Sequence, residues 1–146
     1  MVRLRLALVA GFVMLLSLVW TAPAGAQTAT ILYTRMTGAQ ETPPNSSRGI
    51  GDAIVFVYPN NTVCTVLRVH GLSTPVVGAH IHQAPPGVPG PIVIPLQNPV
   101  NGFSYTCSQV SSDLAAQLRN NPGAFYANVH TTNIPGGEIR GQLFRI

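Results

Sequence analysis

The chain contains no lysine, and its four acidic residues, Glu41, Asp52, Asp113 and Glu138, stand apart from one another. Isolated acids leave no carboxylate pair of the kind that hydrolyses glycosides. The eight arginines form no run and no aromatic-studded patch, which argues against a nucleic-acid partner. A Gly-x-Ser-x-Gly elbow, a His-Glu-x-x-His helix and a phosphate-cradling glycine loop are missing too. Together these absences remove the commonest hydrolase and nucleotide-binding classes. Cysteine is scarce, with Cys64 and Cys107 the only two, and the one long apolar run lies at the N-terminus.

Arg3 and Arg5 precede an almost unbroken apolar stretch from Leu6 to Trp20, and Ala24-Gly25-Ala26 is a small-residue cleavage sequence. That is the pattern of a secretory signal peptide, with cleavage expected before Gln27. Residues 1–26 are therefore read as the signal and 27–146 as the mature domain, a length that suits one fold with one core. The mature chain keeps six arginines against four acids, so its net charge falls from +4 to +2. No later segment is long and apolar enough to span a bilayer, so no transmembrane helix is expected after cleavage. The expected location is secreted, periplasmic or at the cell surface. Such a compartment favours a Cys64–Cys107 disulfide, which closes a loop of about 40 residues and contributes roughly 2–4 kcal/mol.

The mature sequence reads as short strands joined by Pro, Gly and Asn turns. Strands are expected over 29–36, 52–58, 62–70, 77–82, 92–96, 124–130 and 138–144. The 52–58 segment is apolar on both faces, which points to a central position. Pro59-Asn60-Asn61 has hairpin-turn chemistry. One helix is expected over 112–119, capped by Ser111 or Ser112 and stopped by Asn120-Asn121-Pro122. Many short strands with one short helix indicate an antiparallel β-sandwich.

Three of the four histidines fall on two of these strands. Side chains alternate across a strand, so His80 and His82 share one face while Ala79 and Ile81 take the other. On the later strand Phe125, Ala127 and Val129 are expected in the core, with Tyr126, Asn128 and His130 outward. Val55, Leu67, Ile81, Phe125, Val129 and Leu143 are expected to be buried. Glu138, Arg140 and Gln142 share a face by the same parity. His80, His82, His130, Asn128, Glu138 and Arg140 thus form a candidate polar patch. Two readings stand side by side. In one, the histidines hydrogen-bond to Asn128, Glu138, Arg140 and Gln142 across neighbouring strands. In the other, His80, His82 and His130, with His70 as a possible fourth, hold copper or zinc.

Gly38-Ala39-Gln40-Glu41 with Pro43-Pro44, Gly71-Leu72-Ser73, and Ala79-His80-Ile81-His82 with the Pro86-Gly87 to Gly90-Pro91 loop occur in that order. Tyr126-Ala127-Asn128-Val129-His130-Thr131 and Gly136-Gly137-Glu138-Ile139-Arg140-Gly141-Gln142-Leu143 follow. This set resembles the chordin (CHRD) domain family over about residues 28–146. The resemblance implies an extracellular module and a single antiparallel Greek-key or immunoglobulin-like β-sandwich with one short helix. A second likeness concerns the site alone: His-x-His on a strand is similar to copper/zinc superoxide dismutase. It carries copper ligation onto His80 and His82, whereas the zinc-loop histidines and aspartate have no counterpart here. The expected function is a non-catalytic extracellular binding or structural module without a cofactor, meeting an extracellular protein or surface component. The alternative is an exported copper- or zinc-binding protein with superoxide-dismutase-like redox activity.

Overall fold

The computed structural model describes residues 28–146, so the expected signal peptide lies outside the described residues. Nine strands and one helix follow in chain order: β1 Thr30–Thr37, β2 Ile50–Val57, β3 Thr62–His70, β4 Val76–Gln83, β5 Ile92–Leu96 and β6 Phe103–Gln109. Then come α1 Ser112–Asn120, β7 Phe125–Thr131, β8 Ile139–Gln142 and β9 Phe144–Arg145. The Pro59-Asn60-Asn61 turn forms as its chemistry requires, with Asn61 at φ 65° and its N–H donating to Tyr58 O. Ser111 caps α1 by accepting from the Leu114 N–H at 3.2 Å. The expected last strand is interrupted at Leu143, whose side chain drops into the core and whose N–H donates to Phe125 O.

All strand pairs are antiparallel, and they connect in one path, β5-β4-β7-β8-β1-β2-β3-β6, with β9 also on β1. The all-β class with one short helix is as expected. The strands make one sheet nearly closed into a barrel, whereas a sandwich would divide them into two sheets. The end strands approach one another, and the Gln97 N–H donates to Thr106 Oγ1 at 2.9 Å between them. Closure on the other side depends on β8, which joins β7 to β1. Gly141 permits that approach: a Cβ there would lie 2.3 Å from Thr34 Oγ1 and 2.4 Å from Arg35 O.

The interior holds two apolar layers. Leu32, Val55, Ile81 and Phe125 belong to one, sealed by Ala115 and Leu118 of α1. Met36, Leu67, Ala79 and Val129 belong to the other. Buried Thr34 and Thr65 lie between them along β1 and β3, and Leu96 packs on both layers, joining them into one interior. All six residues expected in the core are at most 1% exposed.

β6 was not among the expected strands. Its inward positions are Ser104, Thr106 and Ser108, while Phe103 and Tyr105 lie exposed on the outside, so its polarity is the reverse of a core strand. Tertiary pairing with β3 holds it, reinforced by the Cys64–Cys107 disulfide between directly opposed residues with Cα atoms 4.1 Å apart.

Candidate functional site

Alternation along β4 buries Ala79 and Ile81 and puts Gly78, His80 and His82 on the outer face. β7 does the same with Tyr126, Asn128 and His130. The two strands are neighbours, and their register sets Gly78 opposite His130, His80 opposite Asn128 and His82 opposite Tyr126. Gly78 leaves the gap beside His130 free: a Cβ there would lie 3.0 Å from His80 Cε1. The His80 ring reaches within 5.1 Å of the His130 ring and 5.5 Å of the His82 ring, centroid to centroid. One ligand nitrogen from each of the three lies within 4.8 Å of the other two.

The hydrogen bonds of these rings define their protonation. His82 Nδ1 is 2.9 Å from Gly90 O, and His130 Nδ1 is 2.9 Å from Pro135 O. A carbonyl oxygen only accepts, so each Nδ1 carries the hydrogen, and in the neutral ring each Nε2 is a bare lone pair. Both Nε2 atoms are buried without a partner, and so is His80 Nδ1. Burial holds His80 down to about 4, aided by the positive charge that His130 and His82 would carry. His82 is also lowered, by burial first and by the charges of His130 and Arg140, against the Gly90 bond. Both rings are therefore neutral at physiological pH and free to donate to a cation.

The remaining candidates take other roles. Asn128 donates to Glu41 Oε1 and to Ile139 O, and to no histidine. Arg140 lies over the Tyr126 ring, 3.5 Å from its centroid, and donates to Thr42 Oγ1 and Pro85 O. Tyr126 stacks in turn on His82, with centroids 4.8 Å apart and planes 6° from parallel. The Tyr126 hydroxyl accepts the Gly90 N–H, so one residue of the proline-rich loop steadies both rings. Gln142 donates to Ala84 O and Gly123 O. The expected cross-strand bonds from Asn128, Arg140 and Gln142 to the histidines are thus not formed. His70 is exposed at the end of β3, flanked by β2, and stands outside the three-histidine group.

Glu138 is not in the patch either. β8 begins at Ile139, after Gly137 at φ 130°, so strand parity does not extend to it. Its carboxylate is completely buried and accepts from Ser47 Oγ at 2.6 Å, Ser73 N at 2.8 Å, Ser73 Oγ at 2.7 Å and Thr131 Oγ1 at 2.6 Å. Burial works to raise this carboxyl, yet the bonds from Ser47, Thr131 and Ser73 outweigh it and hold the group below its ordinary range.

Sequence reasoning missed Glu41 as part of this region. It comes from the loop after β1 and meets Asn128 across 87 positions of sequence. Burial raises its carboxyl to about 7, against the Asn128 bond and the charge of Arg140. Glu41 stands between two clefts of about 360 and 200 Å³, the larger also walled by Pro86, Arg140 and Gln142. The only sequence sign of this role is that Glu41 closes Gly38-Ala39-Gln40-Glu41, one of the segments that carry the family resemblance. Tyr126, Gly90 and Pro135 were likewise unforeseen as supports, because two of them act through backbone carbonyls.

A family model, the CHRD domain, matches residues 32–143, which include every residue of the site. No curated protein and no solved structure matches the chain.

Proposed function

The chain belongs to the CHRD domain family, and from that premise we propose that it is an exported binding module holding one copper or zinc ion on His80, His82 and His130. Export is supported by the Arg3 to Ala26 pattern and by the disulfide. Among the described residues no helix is long and apolar enough to cross a membrane. Binding rather than hydrolysis is supported by the missing nucleophile and paired-carboxylate motifs.

The metal reading rests on three histidines that each have a buried, unpartnered ring nitrogen and each bring a ligand nitrogen within 4.8 Å of the other two. A buried polar atom without a partner costs roughly 1–3 kcal/mol, so three in one place call for an acceptor of their lone pairs. All-imidazole donors suit copper and zinc. The Gly90 and Pro135 carbonyls supply the outer hydrogen bonds that commonly fix metal-binding histidines. Bonds of about 2.0–2.1 Å in tetrahedral geometry place nitrogens about 3.4 Å apart. The rings need close by little more than an ångström, a small side-chain rotation.

Equilibrium dialysis of the purified mature protein against Cu(II) and Zn(II) tests this. One ion per chain is expected, and none after His82→Gln. Wild-type protein that retains no ion, or a variant that retains the same amount, would refute the reading.

A further inference from the structure

Resting on that metal reading, we propose that the fourth position at the His80–His82–His130 site is open and takes a small free anion. Three protein ligands converge there and no fourth histidine, cysteine, aspartate or glutamate joins them among the described residues. His80 and His130 are only half-buried, so the site lies close beneath the surface. A three-ligand site with one free position is the arrangement that admits an exogenous ligand.

Charge selects the kind of ligand. Three neutral imidazoles leave a divalent ion with its full double charge. The Arg140 guanidinium adds another close by, over the Tyr126 ring that in turn stacks on His82. Arg140 has no carboxylate within ion-pair range: among the described residues the one such pair is Arg35–Asp52. Glu138 is turned away onto Ser47, Ser73 and Thr131, and Glu41 is held by Asn128. A partly buried site with this excess of positive charge favours an anion strongly over a neutral ligand. The three unpartnered ring nitrogens are themselves buried, which restricts the occupant to a few atoms.

The test uses the Cu(II)-loaded mature protein titrated with azide, followed by absorption and electron paramagnetic resonance. The expected result is a saturable azide-to-copper charge-transfer band at one azide per copper. At pH 8, Glu41→Gln should tighten azide binding severalfold, because it removes the negative charge held on Asn128, which pairs with His80, while keeping the acceptor for Asn128. Arg140→Gln should weaken it severalfold; if that buried change prevents folding, Glu41→Gln alone decides the electrostatic part. Copper bound with a spectrum unmoved by azide overturns this inference and leaves the metal reading intact. Azide affinity unchanged by Glu41→Gln overturns the charge argument. A protein that binds no copper overturns both.

Discussion

Two buried polar clusters meet around β7 and β8, and they are finished in opposite ways. Around Glu138 every carboxylate oxygen has a donor, four bonds in all, supplied by Ser47, Ser73 and Thr131. Around His80, His82 and His130 three nitrogens have none, although two of the rings are carefully held by carbonyls on their far side. A completed network repays its own burial and needs nothing from outside. Converging lone pairs without donors cost stability until a ligand arrives, as is usual where function and stability compete. The first cluster is a structural joint between distant loops; the second, on the proposed reading, leaves room for a ligand.

The sharpest way to break this contrast is Glu138→Ala. It leaves the donors of Ser47, Ser73 and Thr131 unpaired in the interior and is expected to cost about 3–4 kcal/mol in urea unfolding. Metal stoichiometry should be unchanged in whatever fraction stays folded. If the variant loses the ion but little stability, the two clusters have been assigned the wrong way round.

Next in size is the effect of the ion itself. At one hundred times its dissociation constant, Zn(II) should stabilise the wild type by about 2.7 kcal/mol, seen as a rise in Tm. Glu138-cluster variants that fold should show the same increment, and His82→Gln should show none. An increment that survives His82→Gln would place the ion elsewhere.

A third test uses pH on the metal-free protein. Glu41 has a folded pKa raised above its unfolded value, so its contribution is fully present below about pH 4.5 and is lost as pH rises towards 7. His80 and His82 have lowered folded values, so the unfolded chain binds protons first. Their effect is a stability that rises with pH, from about 4 for His80 to the ordinary histidine value near 6.5. The two trends oppose each other in the wild type. Glu41→Gln should expose the histidine trend as a steady rise between pH 4.5 and 7, and should stabilise the protein at pH 8 by about 1–2 kcal/mol. A variant whose stability still falls over that window would show that Glu41 is not the group responsible.

The smallest expected effect is the most telling for the histidines. Among the described residues the His80 side chain makes no hydrogen bond, so His80→Leu should change metal-free stability by less than about 1 kcal/mol while abolishing metal binding. A loss comparable to that of Glu138→Ala would mean the imidazole is structural after all.

What was legible beforehand follows strand periodicity. A two-residue repeat is local, so the outward position of His80, His82, Asn128 and His130, and the burial of Ile81 and Val129, could be read from neighbours one position away. Glu138 shows where that logic stops, since parity holds only inside a strand and Gly137 breaks it. β6 shows the same limit differently: small polar residues face inward, so no apolar alternation announces it.

The sequence by itself determined which side of each strand the histidines occupy, the hairpin at Asn60-Asn61, the helix cap and the pattern of the family. Only the tertiary structure decided that β4 lies beside β7 in the register that gathers three imidazoles, and that Glu41 and Gly90 come to stand around them. The physical reason is range. Facing is set by covalent neighbours, whereas convergence is set by strand pairing and loop packing between segments tens of residues apart, and those are chosen by the closure of the whole barrel.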